Sequence, residues 1–204
     1  MTENFFSYVW DGGYYEGNPL DYFSVLHATY LRCVKSYVKS DTTALEIGPG
    51  KGAWTSCMLS AKDVWCIDAL PVEDTQFAYT NIDNIKYVHV HDYLMQELPD
   101  NYFSYAFSYG CLCHVPFEGI EEYARNMFAK LLSGADVFWM VADDEKHRIV
   151  TGTGIPDVGP GHWYNAGIER TCNMLKEVGY QIVESDVKTV SRDPVIYFKK
   201  ASLV

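Results

Sequence analysis

The segment Leu45-Glu46-Ile47-Gly48-Pro49-Gly50-Lys51-Gly52-Ala53-Trp54 carries the clearest chemistry in the chain. Glycines at alternating positions allow a tight turn and close backbone approach to a ligand. Where such a turn leaves a strand and opens a helix, the free N–H groups of the helix start accept a carboxylate or a phosphate. Glu46, just before the turn, can receive a cationic group. Asp68 stands 20 residues beyond Gly48, at the close of a second apolar run, where a carboxylate can take both hydroxyls of a ribose. Two ligand classes fit this spacing. Gly48, Gly50 and Ala53 satisfy the G-x-G-x-x-G/A pattern of dinucleotide sites. Glu46 tilts the balance, because an acid there repels a pyrophosphate but suits the ammonium of an amino-acid-like ligand.

Acid–base groups follow later in the chain. His114 closes Cys111-Leu112-Cys113-His114, and His162 sits in Gly159-Pro160-Gly161-His162-Trp163-Tyr164. A histidine titrates near neutrality, so either can take the proton of a hydroxyl nucleophile. The Cys-x-Cys-His run lacks a fourth ligand with any sequence signal, so its thiols read as buried and free, and no metal is expected. His89 and His91 alternate on one strand and read as structural.

Alternating elements must position these residues. The apolar spacing predicts a helix from about Tyr22 to Val38, then strands over Thr43–Ile47 and Asp63–Ile67 with a helix Ala53–Ser60 between them. Further strands are expected over Ile85–Val90, Tyr102–Ser108 and Ala135–Val141, with a helix Ile120–Leu132 before the last. From Asp143 to Tyr164 the pattern lapses into Gly, Pro and polar residues, a connection long enough to serve function. A helix Ala166–Val178 and two closely spaced strands, Gln181–Val187 and Pro194–Lys199, complete the chain. Strands alternating with helices imply an α/β fold, with a parallel sheet covered on both faces and the last pair forming an antiparallel edge.

Composition narrows the partners. A chain of 204 residues, 48% hydrophobic and 21% charged, is one ordinary globule. Its 27 acidic and 16 basic residues leave a charge of −11, a field that repels nucleic acid and anionic membranes. With 16 Tyr and 5 Trp, there are more rings than the core needs, so some are expected to line a pocket. Tyr14 and Tyr15 follow Phe5, Phe6, Tyr8 and Trp10 and are read as a cap over it. Six cysteines without CxxC pairing, no signal-peptide pattern and no membrane-length apolar run point to a reducing cytoplasm.

At the glycine turn the sequence resembles the class I S-adenosylmethionine-dependent methyltransferases, whose first motif is an acid followed by glycines at alternating positions. The resemblance implies a Rossmann-like, doubly wound, mostly parallel seven-stranded sheet with an antiparallel C-terminal edge strand. It also implies S-adenosyl-L-methionine as cofactor, with S-adenosyl-L-homocysteine as product, held by Glu46, Gly48, Pro49, Gly50, Gly52 and Trp54. Asp68 looks like the family's ribose-binding acid, and Ala69-Leu70 like the residues that pack on the adenine. Asp92, flanked by His91 and Tyr93, is similar to the acid that bonds the adenine amino group. Tyr105-Ala106-Phe107-Ser108-Tyr109 with Leu112-Cys113-His114-Val115 looks like the fourth-strand motif, where Ser108 and Tyr109 stand between cofactor and substrate pockets. Leu175-Lys176-Glu177-Val178-Gly179-Tyr180 and the two strands after it are similar to the family's ending, so the match spans about residues 43 to 200.

Departures narrow the subclass. No Asn/Asp-Pro-Pro-Tyr/Phe follows the fourth strand, where amino-group DNA methyltransferases carry it. Ser108-Tyr109-Gly110 stands where metal-dependent catechol-type enzymes place Asp. The resulting expectation is one domain: an aromatic cap over residues 1–40, a cofactor-binding core over 41–142, a substrate-side insertion over 143–165, and a C-terminal helix and strands over 166–204. Tyr14, Tyr15, Tyr109, Asp143, His162, Trp163 and Tyr164 would enclose a small-molecule acceptor, with His162 and His114 as the candidate bases. O-methylation of a sugar or natural-product metabolite is expected first. N-methylation of a small amine is the alternative within the class, and an NAD(P)-dependent oxidoreductase the alternative outside it. A homodimer is compatible with the sequence.

Overall fold

Short apolar runs separated by glycine and proline turns become seven strands of one sheet, ordered β3-β2-β1-β4-β5-β7-β6. The computed structural model describes residues 25–155, 163–187 and 192–201. The strands are β1 (Thr43–Ile47), β2 (Asp63–Asp68), β3 (Ile85–His89), β4 (Phe103–Ser108), β5 (Leu131–Met140), β6 (Tyr180–Glu184) and β7 (Val195–Lys200). The first five run parallel, whereas β7 is antiparallel to both β5 and β6. The reversed strand thus lies one place in from the edge, and β6 is the border.

The helices are α1 (Val72–Thr75), α2 (Phe117–Lys130), α3 (Asp144–Thr151) and α4 (Ile168–Val178). In α2 the residues Ile120, Tyr123, Ala124 and Met127 recur at helical spacing and are buried, which lays one face of the helix on the sheet. Gly179 ends α4 at φ 112°, and its N–H donates to the carbonyls of Leu175 and Lys176. Strand alternation separates two cores. Leu45, Ile47, Phe103, Trp139 and Phe198 join α2 and α4 on one face, while Ala44, Val64, Tyr105, Phe107 and Phe138 pack with Leu26, Val34 and Met58 on the other.

Strand β5 begins at Leu131 rather than Ala135, taking the end of the helix expected over Ile120–Leu132, and β6 stops at Glu184 rather than Val187. Three further elements also differ from the sequence expectation. The helix expected over Ala53–Ser60 shrinks to a 3₁₀ turn, Thr55–Met58, where the Ser56 hydroxyl donates to the Ala53 carbonyl at 2.6 Å in competition with the backbone. The first helix ends in a π-helical stretch, Tyr30–Lys35, short of Val38, and its expected start at Tyr22 lies outside the described residues. The supposedly irregular stretch after β5 contains α3. Asp143 accepts from the Lys146 N–H at 2.8 Å, the first turn is acidic, and Gly152 closes the helix at φ 78°.

Candidate functional site

All three glycines of the turn after β1 have positive φ, but for different reasons. A Cβ on Gly48 would lie 2.3 Å from the Cβ of Cys111, and one on Gly52 would lie 2.6 Å from the Tyr79 ring. These two are glycines because the protein packs against them. At Gly50, with φ 52°, a Cβ would meet nothing within 4 Å among the described residues. That side of the turn is open, as a ligand cradle requires.

Asp68 stands at the rim of this opening. Its Oδ1 accepts from the Leu70 N–H at 3.0 Å and its Oδ2 from the Gly50 N–H at 3.4 Å. These bonds aim the carboxylate while leaving lone pairs on both oxygens. Ala69 and Leu70 beside it are exposed, with Leu70 at 52%. Beyond β3, Asp92 is exposed and accepts from the Leu94 N–H at 2.8 Å. The His91 ring lies 4.2 Å from that of His89, and the Tyr93 ring meets Tyr123 edge-on at 4.9 Å.

Glu46 occupies a different place from the one its sequence position suggests. Alternation along β1 turns it to the face of Ala44, beneath the 3₁₀ turn, where it is 2% exposed. The Thr55 hydroxyl donates to its Oε2 at 2.5 Å, and the Cys66 thiol lies 3.6 Å from the same oxygen. Burial raises the carboxyl to about 7, against the lowering effect of those two bonds. Glu46 braces the turn from below.

Pro49 and Trp54 are buried, and Trp54 packs on Phe107 and Tyr109 at 5.1 and 5.0 Å. Ser108 is buried too, and its hydroxyl ties β4 to β1 through the Ile47 carbonyl at 3.0 Å. These residues shape the cradle from behind. Burial raises the Cys111 thiol to about 12, which keeps it protonated and poorly nucleophilic at neutral pH.

Across the strand ends lies a second group of polar and aromatic side chains. The Tyr164 N–H donates to the Cys113 carbonyl at 2.8 Å, which pins the segment after the excursion to the segment after β4. The Trp163 ring then lies 6.2 Å from that of the exposed His114, 6.3 Å from that of His147 on α3, and 5.0 Å beneath the Arg192 guanidinium. Asp193, next along, is buried and its carboxyl is raised, chiefly by desolvation. Asp143 is engaged differently, because its two oxygens cap α3 and α4 through the N–H groups of Lys146 and Ile168, both at 2.8 Å.

His162, Tyr14 and Tyr15 lie outside the described residues. His147, Arg192 and Asp193 escaped the sequence reading. The available signal for His147 was the Asp143 cap followed by two acids and closed by Gly152. Among the described residues no group of three His, Cys, Asp or Glu side chains could hold a metal ion, and no helix is long and apolar enough to cross a membrane.

No protein-family model and no curated protein sequence matches the chain. Solved structures do match. An S-adenosylmethionine-dependent methyltransferase from Aquifex aeolicus is 16% identical with a TM-score of 0.63, over 89% of this chain and 95% of that one. One from Methanosarcina mazei is 15% identical with a TM-score of 0.60, over 82% and 96%. The N-methyltransferase NodS from Bradyrhizobium japonicum, in complex with S-adenosyl-L-homocysteine, is 21% identical with a TM-score of 0.60, over 86% and 85%. With its strand order, its reversed β7 and the glycine turn at the carboxyl end of β1, the chain has the class I S-adenosylmethionine-dependent methyltransferase fold.

Proposed function

We propose that the protein is an S-adenosylmethionine-dependent methyltransferase acting on a hydroxyl of a small-molecule acceptor. The observation that carries the reading is the reversed β7 between β5 and β6. Dinucleotide-binding sheets instead run 3-2-1-4-5-6, so the glycine turn here belongs to a different sheet from the one its spacing alone also allows.

The residues fit the cofactor. Gly50 offers backbone open among the described residues, Asp68 offers a preoriented carboxylate for the two ribose hydroxyls, and Ala69, Leu70, His91, Asp92 and Tyr93 are the residues we assign to the adenine. When bound, the cofactor supplies a methyl group already activated on a sulfonium. The protein's own work is to align the acceptor, exclude water and receive a proton. Trp163 and Tyr164, with Tyr109 at the border of the two halves, are the described acceptor-side walls. His114 stands among them, and His162 belongs to the same stretch of chain. Residues 143–165 are thus read as the acceptor-side insertion of a single domain.

Calorimetric titration with S-adenosylhomocysteine and separately with NADH tests this. Binding of the first alone, lost in Asp68→Ala, is the expected result. Binding of NADH alone would replace the methyltransferase reading with the oxidoreductase one.

A further inference from the structure

Building on the methyl-transfer reading, we propose that His147 is the base that takes the proton of the acceptor hydroxyl. His147 sits one turn into α3, the helix that leaves the carboxyl end of β5, and is 3% exposed. Its Nδ1 lies 2.7 Å from the Thr153 carbonyl oxygen. A carbonyl only accepts, so Nδ1 must carry the hydrogen. The Thr151 hydroxyl, 3.1 Å from Nδ1, has carbonyl acceptors of its own at His147, 2.8 Å, and Thr153, 3.1 Å. A neutral imidazole has one N–H, and with it committed at Nδ1, the lone pair is on Nε2.

That nitrogen is buried, and among the described residues nothing hydrogen-bonds to it. A buried acceptor left bare is costly, and a purely structural histidine would satisfy both nitrogens. The surroundings suit a reacting group. Trp163 presents its ring edge-on to the imidazole and also reaches His114, so the acceptor-side wall runs between the two histidines.

Charges reach His147 from each neighbouring segment. Asp193, ahead of β7, and Asp144, on α3 itself, bring carboxyl groups within electrostatic reach of it. Lys146, Arg148 and Arg192 stand in the same segments, paired with Asp186, Asp144 and Asp193 respectively.

In the step, the acceptor O–H bond breaks and its proton goes to Nε2. The oxygen pair forms the new C–O bond, the C–S bond of the sulfonium donor breaks, and its electrons remain on sulfur as a thioether. The proton on Nε2 later returns to solvent.

Nitrogen-15 spectra of the imidazole rings, with the His147 signals identified through His147→Asn, read the tautomer without any cofactor. A bare Nε2 with hydrogen on Nδ1 is expected, and hydrogen on Nε2 would overturn the proposal. His147→Asn can still donate to the Thr153 carbonyl, so it should bind S-adenosylhomocysteine as tightly as the parent. It should lose roughly 10² to 10⁴ in transfer of tritiated methyl from S-adenosylmethionine to the phenols and alcohols the parent methylates. Undiminished transfer would also overturn it. A parent protein that binds no S-adenosylhomocysteine would defeat the methyltransferase reading alone, while the tautomer spectrum still decided the state of Nε2.

Discussion

At the carboxyl ends of β1 and β2 the site is made of backbone: a glycine turn, two N–H groups and one carboxylate they aim, all within 23 consecutive residues. Across β4, β5 and β7 it is made of side chains from four segments, where Trp163 meets His114, His147 and Arg192. Backbone turns can be read one residue after another. Convergent side chains cannot, because nothing local in the sequence records which of them meet.

The sharpest way to break this comparison is to add one methyl group at two glycines of the same turn. Gly48→Ala places a Cβ 2.3 Å from that of Cys111 at φ 73°, and is expected to cost roughly 3 to 5 kcal/mol in urea unfolding. Gly50→Ala meets no described residue, so it should cost only about 1 kcal/mol of stability and show its main effect in S-adenosylhomocysteine affinity. Equal midpoints would erase the distinction between a packed and a ligand-facing glycine.

Next in size is a pH effect on the brace. Burial lifts Glu46 from the ordinary 4.5 to about 7. Between those values the folded chain holds a proton the unfolded chain has released, so stability falls as pH rises through the window. Glu46→Gln should remove that slope and make the protein more stable than its parent above pH 7, by roughly 2 to 3 kcal/mol in denaturant titrations. A parallel pH profile in the variant would mean that the carboxyl is ionised throughout.

On the ligand side, Asp68→Ala should weaken S-adenosylhomocysteine by about 10- to 100-fold, from lost charge-assisted bonds, with a smaller change in melting. Unchanged affinity in calorimetry would move the ribose elsewhere. The smallest expected effect is on the acceptor side. Asp143→Ala uncaps two helix starts and should lower unfolding stability by about 1 to 2 kcal/mol. A loss of acceptor binding with no loss of stability would return Asp143 to the substrate.

The legible part of the molecule follows the same division. Strand β1 matches its expected limits and β2, β3 and β4 lie within a residue of theirs, because apolar runs bounded by glycine and acid leave few alternatives. Asp68 lies at its strand end beside the open side of Gly50, as its spacing suggests. Glu46 misleads because spacing says nothing about which face of a buried strand meets a ligand. The helix α3 was hidden by its polar composition, with only His147 buried among its eight residues. The neighbours of Trp163 lie 49 (His114) and 16 (His147) residues before it and 29 (Arg192) after it, in an arrangement set by sheet order, which no single segment encodes.

The reversal of β7 also decides at which end of the sheet that strand finishes. Val195 pairs with Met140 at the carboxyl ends of the parallel strands, and five residues later the Lys200 ammonium donates to the Leu131 carbonyl, where β5 begins. At about 3.4 Å per residue the chain has descended the full height of the sheet. Lys200 therefore stands at the opposite end of the sheet from the glycine turn. Gly152, which closes α3, stands instead at the end where the parallel strands finish.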